Sequence, residues 1–129
     1  EEDPCHRGQI HQNRGAAAMQ ADRHPSEAAR LADLKSFDIL DSPRERPYDD
    51  IVALAARLCG THASTITFID ADRQWFKAAI GMPPEPAPLE MAVCAHTIVA
   101  GGFLEIPDTL QDPRTSDNPG AQGPNGLRF

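Results

Sequence analysis

Apolar residues recur along this chain with two periods, and each period marks a different element. Ile51, Leu54, Ala55 and Leu58 fall at i, i+3, i+4 and i+7, which is one stripe of an α-helix. Asp49 and Asp50 sit at its start and Gly60 just past its end, where the helix dipole and a left-handed cap favour them. Cys59 lies beside the stripe and reads as a small buried hydrophobe. An earlier helix starts at Pro25-Ser26-Glu27, with Ser26 as its cap. It runs through Leu31 and Leu34 to end near Leu40, before the Asp41-Ser42-Pro43 break.

Then the period shortens. Thr65 to Asp70 is β-branched and aromatic, and reads as a strand. Asp70-Ala71-Asp72 is a turn, and Arg73 to Ile80 alternates as a second strand. Trp75, Lys77 and Ala79 share one face, with Phe76, Ala78 and Ile80 on the other. So short a turn predicts an antiparallel hairpin. Gly81 to Pro88 carries four prolines and reads as an extended loop. Met91 to Ala100 reads as a short helix ended by Gly101-Gly102, and Phe103 to Ile106 as a short strand. Asp112 to Gly126 is a long loop, and Leu127 to Phe129 opens a further strand with no partner. Residues 1–24 show no period and read as a disordered leader, which leaves 25–129 as the domain.

Composition narrows the class. Hydrophobic residues make up 40% of the 129, but aromatics only 5%, so the core is lean. A net charge of -7 argues against nucleic acid as a partner, because phosphate contacts need concentrated Lys and Arg. No apolar run approaches the roughly 20 residues that span a bilayer. Three cysteines without a framework spacing fit a reducing, cytoplasmic compartment. Glu1 in place of an initiator Met fits a fragment or a processed form.

Candidate chemistry is sparse. Cys94 and His96 can form a nucleophile pair, since imidazole lowers a thiol pKa. At i and i+2 of a helix, however, their side chains diverge, so packing and pocket-lining roles stand beside the chemical one. Trp75 and Lys77, with Arg73 nearby, offer a surface for a planar anion. The same residues also suit an amphipathic strand whose charged tips reach water. Cys5, His6 and His11 are too loosely spaced for a metal site. Asp108, Asp112, Asp117 and Asn118 lack the alternation and closing Glu of a calcium loop.

The segments RLADLKSFDILDSPRERPYDDIVALAARLCGT, ITFIDADRQWFKAAIG, CAHTI and IPDTLQDPRTSDNPGAQGPNGLRF together resemble a GAF domain. More narrowly they are similar to the bacterial subgroup placed ahead of histidine kinases and diguanylate cyclases. The resemblance spans residues 27–129, and its most specific parts are Asp72 to Lys77 and Cys94-Ala95-His96. It implies an α+β fold: an antiparallel sheet with flanking helices and a small-molecule pocket, here incomplete at the C-terminus. Trp75, Lys77, Cys94 and His96 are the residues it marks as ligand-binding. It names no ligand and no cofactor, and the motif of the cyclic-nucleotide-binding members is not found.

The implied role is a cytoplasmic sensor, responsive to a small molecule or to redox state, with no catalysis of its own. It would act on a downstream kinase or cyclase in cis or trans, with a homodimer formed through terminal helices. Two alternatives remain: a dimerisation remnant without ligand, or a thiol reductase using Cys94, with Cys59 as the resolving thiol. The chain departs from the subgroup at Leu89, Ala92 and Val93, and polar or small residues stand at Thr65, Thr115, Gly120 and Ala121 where apolar ones are usual. Each of these predicts weaker burial.

Overall fold

The computed structural model describes residues 19–124 and 126–128. Helix α1 (Glu27–Ser36) leads to α2 (Arg46–Cys59). The hairpin β1 (Ser64–Ile69) and β2 (Arg73–Ile80) follows. A two-residue strand β3 (Ala87–Pro88), a 3₁₀ turn at Leu89–Met91 and helix α3 (Val93–Ala100) come next. The strands form one antiparallel sheet in the order β1-β2-β3. The fold is α+β with a small antiparallel sheet.

Several boundaries move, each for a local reason. Helix α1 stops at Ser36 rather than Leu40, because Asp38 and Asp41 both take left-handed backbone conformations. Ser26 makes no side-chain cap. Helix α2 starts a turn before Asp49, with Pro47 in its first turn, where the missing N–H costs nothing. Gly60 ends it in the left-handed conformation (φ 65°), and Gly101 ends α3 in the same way (φ 72°). The proline loop is not wholly irregular: Ala87 and Pro88 pair with Gln74 and Arg73. Phe103 to Ile106 forms no strand, and Phe103 is 91% exposed. Leu127 and Arg128 form no strand either; their carbonyls accept hydrogen bonds from the Thr109 hydroxyl (2.6 Å) and N–H (2.9 Å).

The core is built mainly from alanines packed around a few large side chains. Ile69, Ala92 and Ala95 form one buried cluster, with Leu89, Cys94 and Ile98 against it. Val52 and Ala56 of α2, with Trp75 and Ala78 of β2, are the other buried apolar residues of the helices and sheet. This turns α2 away from its expected face. Ile51, Leu54 and Leu58 are 55%, 57% and 78% exposed. The apolar arc of α2 is wider than the side that meets the sheet, and the i, i+4 pair Val52 and Ala56 takes that side. Cys59 is exposed, not buried.

Thr115 and Ala121, two of the positions where polar or small residues stand, are themselves buried. Thr115 is 1% exposed, and its hydroxyl donates to the Thr109 carbonyl at 2.7 Å, which removes the cost of burying it. The part of the leader that is described, residues 19–24, packs on the domain. Ala21 lies against the Ile69 cluster, and Arg23 donates to the Ala71 carbonyl at 3.1 Å. The rest of the leader, with Cys5, His6 and His11, lies outside the described residues.

Candidate functional site

The four residues marked by the sequence fall into two groups on separate elements. Trp75 and Lys77 are on β2, Cys94 and His96 on α3.

Lys77 sits at a break in the β1–β2 register. Ile66 pairs with Ala78 and Thr67 with Phe76, so Lys77 has no partner across the hairpin. That irregularity aims its side chain at the segment between α1 and α2. The ammonium donates to the Ser42 hydroxyl (2.7 Å) and the Pro43 carbonyl (2.8 Å), and pairs with the Glu45 carboxylate. It also lies 5.0 Å from the centre of the Tyr48 ring, close enough for a cation–π contact. Three donors therefore meet three oxygens, and the side chain is 0% exposed. The picture of a strand lysine whose tip reaches water does not hold here. Trp75 is also buried, facing Phe68 across the hairpin with ring centroids 6.3 Å apart.

Arg73 ties the hairpin turn to the same inter-helix segment. It grips Asp41 with both terminal nitrogens (3.0 and 2.6 Å) and reaches Asp70 through Nε at 3.3 Å. The hydrogen bonds to Asp41 raise the arginine pKa further above its usual value, and Asp41 is lowered by the same contact. Arg30 of α1 donates to the Ile69 carbonyl at 2.6 Å while bound to Glu27, which docks α1 at the end of β1.

On α3, His96 Nε2 lies 2.9 Å from the Met19 carbonyl. A carbonyl only accepts, so Nε2 carries the proton in this contact. His96 also lowers the pKa of Asp112, though less than Arg114 does. The Arg114 guanidinium is hydrogen-bonded to Asp112 and holds that carboxyl at about 2. Cys94 is half-buried against the Ile69 cluster. Gln74, buried on β2, has a side-chain carbonyl with no hydrogen-bond partner among the described residues. Among those residues, no group of three His, Cys, Asp or Glu side chains is placed to hold a metal ion.

None of the four lines a groove of about 580 Å³ between α1, β1 and the end of α3. Leu34, Phe37, Phe68, Thr97 and Ile98 line it, and its surface is mostly apolar. It follows the outer side of β1, which has no strand beside it among the described residues. Sequence reasoning missed this groove because its lining comes from three elements far apart in the chain, which no single pattern links. It also missed the lysine cage, although a lone Lys in a strand centre, following a Ser-Pro break and a Tyr, was the available signal.

No family profile matches the chain. The chain is 33% identical over 103 residues to a cyclic di-GMP phosphodiesterase of Pseudomonas aeruginosa. The match covers 80% of this chain and 18% of that relative, so the chain spans less than a fifth of the relative's length. That relative is an enzyme, which overturns the expectation that no catalysis belongs to this protein. No helix among the described residues is long and apolar enough to cross a membrane.

Proposed function

We propose that the chain is a GAF-like regulatory unit of a bacterial signalling protein that turns over cyclic di-GMP. On this reading it passes the binding of a small molecule to that activity. The extent of the match carries the reading: four-fifths of this chain aligns with under a fifth of a cyclic di-GMP phosphodiesterase. A chain so matched fits one unit among several in an enzyme of that kind. The likeness to GAF domains placed ahead of diguanylate cyclases supports the same nucleotide, since those enzymes make what such a phosphodiesterase breaks down. The reading puts the chain in the cytoplasm, where nucleotide second messengers act.

The open side of β1 supports a GAF-like sheet of more than three strands. An unpaired edge beside an apolar groove accepts an extended segment well, because main-chain hydrogen bonds and side-chain burial are gained together. In the full-length protein, a further segment would lie along β1 and complete the sheet. Hydrogen exchange tests this. The outward amides of Ser64–Ile69 should be protected at least about tenfold more in the full-length protein than in this chain alone. Equal protection in both would remove the extended sheet from the reading.

A further inference from the structure

The exposed stripe of α2 has a charge pattern that matches itself. Ile51, Leu54 and Leu58 point away from the sheet on successive turns. Asp50 and Arg57 flank them seven residues apart, and so lie on the same side of the stripe. Both are exposed, and Arg57 makes no ion pair among the described residues, while Asp50 has only a 3.6 Å contact with Arg46 on a side chain 67% exposed.

We infer that α2 pairs with the α2 of a second copy of this chain, antiparallel, about a two-fold axis midway between Ile51 and Leu54. In that arrangement Ile51 packs on the partner subunit's Leu54, and Leu54 on the partner's Ile51. Counting along the two helices then brings Asp50 beside the partner's Arg57, and Arg57 beside the partner's Asp50. A parallel pairing gives neither contact, because it places Asp50 opposite the partner's Ala55. Two opposite charges seven residues apart thus select the antiparallel copy and pair twice. The inference does not depend on the ligand or on the downstream enzyme.

The interface is small. Three apolar side chains fall well short of the roughly 800 Å² per partner of a stable complex, so the association is weak and concentration-dependent. Sedimentation equilibrium of this chain, followed up to about 500 μM because an interface below the standard size is weak, should show it. Arg57→Asp and Asp50→Arg should each weaken it at least about fivefold, since each turns both attractive pairs into repulsive ones. An equimolar mixture of the two variants should restore it, because both cross-pairs are then attractive again. Leu54→Gln should abolish it while leaving the melting temperature unchanged.

Three results would overturn the inference. They are a chain that stays monomeric throughout, variants that associate like the native chain, and a mixture no stronger than its components. If Leu54→Gln lowered the melting temperature of a monomer, the stripe would be covered within one chain, which also overturns it.

Discussion

Gly81→Ala is expected to destabilise the protein by at least about 3 kcal/mol, or roughly 12 °C or more in melting temperature for a domain of this size. Two effects add. Gly81 has φ 76°, a region that costs an L side chain roughly 1–2 kcal/mol. The larger effect is steric. A Cβ on Gly81 would stand 1.8 Å from the His62 carbonyl oxygen and 2.7 Å from its carbon, and both atoms are backbone. The pairing of Ser64 with Ile80 holds the two chains in that approach, so relief requires the end of the hairpin to open.

Gly101→Ala is the matched control. Its φ of 72° is nearly the same, but nothing lies within 4 Å of the added Cβ, so only about 1 kcal/mol is expected. Thermal unfolding of both variants separates conformational strain from close approach. Equal losses would mean that the Gly81 backbone does not approach His62 as described.

Lys77→Ala is expected to cost about 2–4 kcal/mol, which is a large share of the 5–15 kcal/mol that holds a typical domain. Removing the side chain leaves a void beside the Tyr48 ring and strips donors from the Pro43 carbonyl and the Glu45 carboxylate. The Ser42 hydroxyl can turn to another partner, since it already donates to the Ile39 carbonyl at 2.6 Å. Lys77→Met keeps most of the volume and should cost about 1–2 kcal/mol, the price of the lost hydrogen bonds alone. Glu45→Gln should cost under about 1 kcal/mol, because that side chain is 55% exposed and water replaces the contact. Denaturant unfolding of the three variants gives this ranking directly. A loss at Lys77→Ala no larger than at Glu45→Gln would show that the ammonium is solvated, contrary to the cage.

The hairpin was the most legible part of the chain. Alternation and a two-aspartate turn place β2 at Arg73–Ile80 and its partner within a residue of its observed bounds. Local chemistry sets those bounds, and local chemistry is what a sequence displays. The sides of α2 were not legible. Periodicity shows that Ile51, Leu54 and Leu58 lie together, but Val52 and Ala56 are apolar too, and only the sheet decides which pair is buried. Cys59 was read as buried on the usual burial of a free Cys, and it is exposed instead.

The site divides in the same way. Lys77 was singled out with Trp75 as a surface for a planar anion or a tip reaching water, but alternation assumes an unbroken register, and the break opposite Ile66 and Thr67 sends it to Ser42, Pro43 and Glu45. Contacts over more than thirty residues of sequence leave no periodic trace. The packing of residues 19–24 was hidden for a related reason. It rests on one small side chain, Ala21, and on backbone and arginine contacts that no hydrophobic pattern records.

The proposed role of this unit is to govern cyclic di-GMP turnover in the protein that carries it. The most direct test is cyclic di-GMP hydrolysis by the full-length protein, intact and with residues 25–129 removed. The account predicts that removal changes the rate several-fold and abolishes any response to small molecules. An unchanged rate with an unchanged response, or a full-length protein that does not act on cyclic di-GMP, would contradict it.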